Sequence, residues 1–113
     1  MTDPLDFRGK VVLVTGSSRG LGAAMIQAFG ARRARCVVNY ITDANGQNKA
    51  DAKAVASGLN EPLVVECDVT SPEQVELMMK QIAEQLGGLD VLVNNSGIIR
   101  DRTMKKMTFD EFE

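Results

Sequence analysis

A glycine-rich stretch, VTGSSRGLG at residues 14–22, has the residue types and spacing that could bind a phosphate. It follows the apolar run KVVLVT at 10–15 and precedes a helical pattern over 20–31. The first amides of a helix have no intrahelical acceptors and lie at the positive end of its dipole. Glycines let the backbone turn sharply and approach a pyrophosphate closely. The stretch is therefore predicted to hold a phosphate, the alternative being a turn that only packs helix against strand.

Apolar runs and helical patterns alternate along the chain around this stretch. Strands are predicted at 10–15, 35–41, 62–67 and 89–94, and helices at 20–31, 43–59 and 72–86. Strands that are apolar throughout and alternate with helices indicate an α/β fold whose parallel sheet is covered on both faces. Right-handed connections would place the first two helices on one face and the third on the other.

The apolar stripe of each helix predicts which side chains face the sheet. The first helix has its stripe at Leu21, Met25, Ala28 and Phe29. The second has a weak stripe at Ala50, Ala54 and Val55. The third has the clearest stripe, at Val75, Met78, Met79, Ile82 and Leu86. Ser71 and Gln74 are predicted to cap its start, and Gly87 to end it.

Four motifs in this order resemble the short-chain dehydrogenase/reductase family. The glycine stretch has the spacing T-G-x-x-x-G-x-G, Cys67-Asp68-Val69 ends the third strand, and Asn94-Asn95-Ser96-Gly97 ends the fourth. The segment GIIRDRTMKKM at 97–107 resembles the 3-oxoacyl-(acyl-carrier-protein) reductase branch. The resemblance covers the whole chain and implies a Rossmann-like three-layer α/β/α fold. Residues 1–113 would be the N-terminal half of an NAD(P)-binding Rossmann domain, truncated after the fourth strand.

The resemblance also implies the residues of a cofactor site. Gly16, Gly20, Leu21 and Gly22 would hold the phosphates through backbone amides, and Ser18 belongs to the same set. Asp68 would accept a hydrogen bond from the adenine amino group, with Val69 beside the ring; a capping or turn role is the alternative for Asp68. Asn94 would tie strands together, and the ribose on the nicotinamide side would be lined by Asn95, Ser96 and Gly97. For the asparagines a polar strand end is the alternative.

The end of the second predicted strand bears on the choice between NAD and NADP. An acidic residue there would accept hydrogen bonds from the ribose hydroxyls and repel a 2′-phosphate. The strand ends with the neutral pair Asn39 and Tyr40, and Asp43 lies past it. Arg19 in the glycine stretch could pair with a 2′-phosphate, or be a solvated loop charge. NADP(H) is therefore the predicted cofactor, with NAD as the alternative.

The family's catalytic tyrosine and lysine have no counterpart in these residues. The resemblance implies a tyrosine that exchanges a proton with the substrate oxygen, a lysine four residues later and an upstream serine. The one tyrosine, Tyr40, is followed four positions later by Ala44, so no catalytic residue is predicted and the catalytic set is expected beyond residue 113. A helix is predicted to begin at residue 108. Three possibilities stay open: an enzyme completed by a C-terminal fragment or partner, a binding module that associates through an open sheet edge, or an inactive truncated copy.

The bulk composition excludes several other classes of protein. The chain has 113 residues and a net charge of −2, so it has no basic footprint for nucleic acid. It has no apolar run of membrane-spanning length and no signal-peptide core, so a cytoplasmic location is expected. It has no histidine and no Cys/His cluster for a zinc site. Cys36 and Cys67 lie in apolar runs and are predicted to be reduced core thiols.

Overall fold

The computed structural model describes residues 6–96, which form one parallel sheet with helices on both faces. In chain order the elements are β1 (Val11–Val14), α1 (Gly20–Ala31), β2 (Arg35–Tyr40), α2 (Gln47–Ala56), β3 (Leu63–Glu66), α3 (Pro72–Leu86) and β4 (Val91–Val93). The strand order is β3-β2-β1-β4, and Val12 of β1 is level with Cys36 of β2 and Val91 of β4. This order confirms the predicted α/β fold and its parallel sheet.

Alternate residues of each strand face opposite helical layers, as the pleat of a strand requires. Val11 and Leu13 belong to a buried cluster with α3, whereas Val12 and Val14 belong to a second cluster with α1 and α2. The first two helices thus cover one face and the third covers the other, as the right-handed connections predicted. The strand order reverses at β1, and α/β sheets bind ligands at the carboxyl ends of the strands beside such a reversal.

The predicted apolar stripe of α1 is wrong at two positions. Leu21 and Ala28 are exposed, and the buried residues of the helix are Gly22 and Ile26. The other two predicted members are partly buried against the α1–α2 side of the sheet. Gly22 determines which side of the helix faces the sheet. Its backbone lies so close to the preceding loop that a side chain would have no room there.

The second helix is shorter than the predicted 43–59, because residues 43–46 form a turn before it and residues 57–59 lie past its end. The turn ends at Gly46, whose φ of 75° is in the left-handed region that favours glycine. The predicted stripe is correct at Val55 but wrong at Ala50 and Ala54, which are exposed. The buried residues of the helix are Ala52, Val55 and Ala56. Alanines lie on every side of α2, so the sequence marked its buried face weakly.

The third helix confirms its predicted caps and stripe. The Ser71 hydroxyl accepts a hydrogen bond from the Gln74 amide at 3.3 Å, and Gly87 ends the helix with a φ of 83°. The Gln74 side chain accepts from the amide of Asp68 at 2.8 Å, which ties the start of the helix to the end of β3. The buried stripe comprises Val75, Met78 and Ile82, with Met79 and Leu86 partly buried beside it.

Other predictions concern the cysteines, membrane segments and the C-terminal residues. Cys36 and Cys67 are free and buried, as predicted. Within residues 6–96, no helix combines the length and apolar character needed to cross a membrane. The segment at 97–107 and the helix predicted from residue 108 lie outside the described residues.

Candidate functional site

The glycine stretch forms the loop between β1 and α1, at the carboxyl edge of the sheet. Two asparagines hold the first glycine of the loop, one in β2 and the other in the segment that follows β4. The Gly16 amide donates to Asn39 Oδ1 at 2.9 Å, and the Gly16 carbonyl accepts from Asn95 Nδ2 at 3.2 Å. Both backbone polar groups of Gly16 are therefore fixed by side chains, which makes the entry to the loop rigid.

The helical side of the loop is fixed by a close backbone approach at Gly22. A Cβ atom added to Gly22 would lie 2.4 Å from the carbonyl oxygen of Gly16 and 2.5 Å from Nδ2 of Asn95. Real Cβ atoms do not make such contacts, so only glycine fits without displacing the clamp. The third glycine of the motif thus has a packing role.

Two buried hydroxyl residues, Thr15 and Ser17, complete the support beneath the loop. The Thr15 hydroxyl oxygen accepts from the amides of Asn95 at 3.0 Å and Ser96 at 3.2 Å. Ser17 accepts from the Asn39 amide through its hydroxyl at 3.0 Å, and its own amide donates to the Asn39 carbonyl at 3.0 Å. Buried polar groups need such partners, so these bonds fix the loop on the sheet.

The outer side of the loop has the properties of an anion cradle. The side chain of Arg19, the N-cap residue of α1, makes no capping hydrogen bond, and the carbonyl of Arg19 accepts from the amide of Ala23. The amides of the first turn are therefore left facing the carboxyl edge of the sheet, at the positive end of the helix dipole. Gly20 has a φ of 60° and open space where a Cβ would be, and Leu21 is 71% exposed. Gly20, Leu21 and Gly22 of the predicted phosphate-binding set thus lie together at this turn. The amide of Gly16, from the same set, already donates to Asn39, so the prediction that this amide holds a phosphate does not fit the structure.

Arg19 extends from this loop toward α2. Its guanidinium donates to Oδ1 of Asn48 and lies 3.5 Å from Oδ2 of Asp51. The arginine side chain is 59% exposed. The one cation that the sequence placed in the loop therefore lies between the amino ends of α1 and α2, with a carboxylate as its neighbour.

The two residues predicted at the end of β2 are buried. Asn39 is 2% exposed, and besides its bond to Gly16 its Nδ2 faces the carbonyl oxygens of Val65 and Cys67 at 3.4 and 3.3 Å. Tyr40 is 8% exposed and packs in the α1–α2 cluster. The neighbouring strands and helices cover both side chains, which therefore support the site from within the fold. A direct cofactor contact is not proposed for either side chain.

Asp68 and Val69 lie where β3 ends, at the same edge of the sheet. Oδ1 of Asp68 accepts from the hydroxyl of Thr70 at 2.6 Å and from its amide at 2.9 Å. These two bonds hold the pKa of the Asp68 carboxyl below its ordinary value, so it is ionised at neutral pH. The turn role named as an alternative is therefore present, and within residues 6–96 both of these bonds go to Oδ1 and not to Oδ2. Val69 is buried against α3.

The residues after β4 confirm that polar side chains gather beside the loop. Asn94 Oδ1 accepts from the hydroxyls of Thr15 at 3.2 Å and Ser96 at 3.4 Å. Asn94 thereby connects β4 to β1, and Asn95 reaches the loop itself. Gly97, the last residue of this predicted set, lies outside the described residues.

Sequence reasoning missed four contributors to this site: Thr15 and Ser17 beneath the loop, and Asn48 and Asp51 on α2. Thr15 and Ser17 belong to the quoted motif, and their position between a buried strand and a helix was a signal that their hydroxyls are satisfied internally. Asn48 and Asp51 gave no sequence signal, because only the packing of α2 beside α1 brings them to Arg19.

No nucleophile or metal centre accompanies the loop in the described part of the chain. Burial raises the pKa of Cys36 to about 11, and burial with the neighbouring Glu66 and Asp68 carboxylates raises the pKa of Cys67 to about 11. Both thiols are therefore protonated at neutral pH. Residues 6–96 contain no group of three or more Cys, Asp or Glu side chains placed to hold a metal ion.

Comparison with known proteins places this geometry in context. A family model described as short chain dehydrogenase matches residues 10–113. Versicolorin reductase 1 of Dothistroma septosporum is 40% identical over 105 residues, which are 93% of this chain and 40% of that protein. The 3-oxoacyl-(acyl-carrier-protein) reductase of Vibrio cholerae is 37% identical over 108 residues, 96% of this chain and 42% of that protein. A crystal structure of a hydroxysteroid dehydrogenase from Escherichia coli is similar with a TM-score of 0.68 at 26% identity, over 82% of this chain and 37% of that one. The chain spans about two fifths of the length of the curated relatives it matches.

Proposed function

Because the chain belongs to the short-chain dehydrogenase family, we propose that it forms the NADP(H)-binding part of an oxidoreductase that reduces a carbonyl to an alcohol. The observation that carries this proposal is the clamped glycine loop, whose first helical turn has no side-chain cap. The nicotinamide of a bound cofactor supplies the hydride in such chemistry. The residues of this chain bind and orient the cofactor.

In this proposal the segments that follow β1, β3 and β4 each contribute a contact. The amides of Gly20, Leu21 and Gly22 bind the pyrophosphate, because they lie at the amino end of α1. Oδ2 of Asp68 accepts from the adenine amino group. Asn95, beside the loop, is proposed to line the ribose of the nicotinamide half. The exposed side chain of Leu21 covers apolar surface of the dinucleotide.

The preference for NADP(H) over NAD(H) rests on charge at the adenosine end. The end of β2 carries the neutral Asn39 and Tyr40, so no carboxylate there repels a 2′-phosphate. Arg19 is exposed between α1 and α2 and supplies a positive charge to that phosphate.

The proposed substrate is a 3-oxoacyl thioester or a similar carbonyl compound. This is supported by the sequence of residues 97–107 and by the similarity to the reductase of Vibrio cholerae. Tyr40 is buried and is followed four positions later by Ala44, so we assign it no catalytic role. Proton transfer to the substrate oxygen is proposed to depend on a serine, a tyrosine and a lysine outside these residues.

Association through the sheet belongs to the same proposal. β4 lies at one edge of the described sheet, and its three residues are only partly buried. Further chain, from a complementary C-terminal part or a second copy, would pair with this edge. We also propose a cytoplasmic location, in keeping with two reduced cysteines.

The experiment that tests the cofactor assignment is titration of Arg19→Ala with NADPH and NADH by calorimetry. A charge-assisted hydrogen bond contributes about 1.5–3 kcal/mol, so NADPH affinity should fall about 10- to 150-fold. NADH affinity should change by less than about twofold, since NADH lacks the 2′-phosphate. Lys80→Ala on the exposed side of α3 is the matched control and should leave both affinities unchanged. Equal losses for the two dinucleotides would refute the 2′-phosphate contact.

A further inference from the structure

A polar network ties Arg19 of the glycine loop to the first turns of α2. The guanidinium donates to Oδ1 of Asn48, and its Nη2 lies 3.5 Å from Oδ2 of Asp51. The other carboxylate oxygen of Asp51 accepts from Nε2 of Gln47 at 2.8 Å. Nδ2 of Asn48 in turn donates to the carbonyl of Ile41 at 2.8 Å. Arg19 is thus paired within the protein before any ligand is bound.

We propose that Asp51 is a specificity-determining residue that limits the preference of this site for a 2′-phosphorylated dinucleotide. The inference rests on the proposed function, in which Arg19 binds the 2′-phosphate. A phosphate that reaches Arg19 must displace or share a carboxylate that already neutralises it. It also comes within a few ångströms of that carboxylate, and like charges at this distance repel.

The exposures of the two side chains decide the direction of this effect. The Asp51 side chain is 30% exposed and is held at one oxygen by Gln47, whereas the Arg19 side chain is 59% exposed. The carboxylate is therefore the fixed partner and Arg19 the movable one. A residue that only positioned Arg19 for the phosphate would leave the positive charge of Arg19 unneutralised. Asp51 instead neutralises that charge.

The other charged group near this network does not take the place of Asp51. Oδ1 of Asp43 accepts from the amide of Asn48 at 3.1 Å, so it serves the start of α2. The first turn of α2 has no acidic residue. Within the described residues, the carboxylate that pairs with Arg19 is that of Asp51.

The test compares two adenosine-end probes, 2′,5′-ADP and 5′-AMP, on the intact 113-residue chain. These differ in the 2′-phosphate, so their affinity ratio isolates that group. The variants are Asp51→Asn and Asp51→Ala, with Glu76→Gln on the exposed side of α3 as the charge-matched control. Calorimetry gives the affinities, and a thermal melt of each variant checks that it is folded.

Both Asp51 variants should bind 2′,5′-ADP about two- to fivefold more tightly than the unmodified chain, which is the range of an exposed ion pair. Their affinity for 5′-AMP should be unchanged. Glu76→Gln should bind both probes as tightly as the unmodified chain does. The gain should shrink in high salt, since the Arg19 side chain is exposed and Asp51 is only partly buried. If Asp51→Asn and Asp51→Ala show the same gain in affinity, a folding defect is excluded as the cause of that gain.

Two results would overturn the proposal while leaving the proposed function intact. If the Asp51 variants bind 2′,5′-ADP more weakly, Asp51 positions Arg19 rather than competing with the phosphate. If their affinity is unchanged, Asp51 does not act on the phosphate at all. Failure of the proposed function looks different: Arg19→Ala would then bind 2′,5′-ADP as tightly as the unmodified chain.

Discussion

Replacing Gly22 with alanine tests whether the loop is held as the structure shows. The new Cβ would lie 2.4 Å from the Gly16 carbonyl oxygen and 2.5 Å from Nδ2 of Asn95. A gap of about 1 Å must open at both atoms, and overpacking of this kind costs about 1–3 kcal/mol. Loss of the bond between Asn95 and Gly16 adds about 0.5–1.5 kcal/mol. Alanine regains about 1 kcal/mol over glycine within a helix. The variant should therefore be less stable by about 0.5–3.5 kcal/mol.

Urea unfolding followed by circular dichroism measures this difference. With a typical slope of about 1–3 kcal/mol per molar urea, the midpoint should fall by about 1 M. Gly58→Ala is the matched control, because a Cβ there makes only an ordinary 3.9 Å contact with the Val55 carbonyl. Its backbone φ is also outside the left-handed region, so this variant should be as stable as the unmodified chain or slightly more so. A Gly22→Ala chain as stable as the Gly58→Ala chain would refute the close approach.

The remaining predictions concern the two other buried polar features of the sheet. Asn39→Asp would place a carboxyl at a 2% exposed position that faces the carbonyls of Val65 and Cys67, which raises its pKa in the folded state. A raised folded-state pKa means stability that is present at acidic pH and lost as pH rises. The free energy of unfolding of this variant should therefore fall by about 3 kcal/mol between pH 4 and pH 8. Urea unfolding at several pH values measures this fall, and a destabilisation that does not depend on pH would contradict the reasoning. Cys36 and Cys67, whose pKa values are raised to about 11, should react with a disulfide reagent at pH 8 about a hundredfold more slowly in the folded chain than in urea. Rapid reaction of either thiol without urea would show that the sheet is open around it.

The sequence predicts the elements of this fold well because its strands are short, apolar and regularly interrupted. The glycine spacing and the capping residues of α3 each point to one local conformation, so their places could be predicted from local rules. The stripe of α1 was wrong at Leu21 and Ala28 because a periodicity of apolar residues ignores glycine. In the structure Gly22 faces the sheet through its backbone, which leaves Leu21 exposed.

The site was predictable only in part, for a physical reason. Asn39 interrupts an otherwise apolar strand, and such a residue signals a buried group with internal partners. Which partners it finds depends on the strand order, which brings Gly16 to one side of β2 and the β3 carbonyls to the other. The pairing of Arg19 with Asp51 depends on the packing of two helices, and no local rule predicts it.

The most direct test of the proposed function is a backbone-amide NMR titration of the 113-residue chain with NADPH. The proposed function predicts saturable shifts at Gly16 and at residues 18–22, because the start of α1 is the proposed phosphate site. It also predicts shifts at Asp68 and Asn95, and none at Leu77 on the exposed side of α3. Saturable binding that leaves the amides of residues 18–22 unmoved, or no binding at all, would contradict the assignment of this loop as the dinucleotide site.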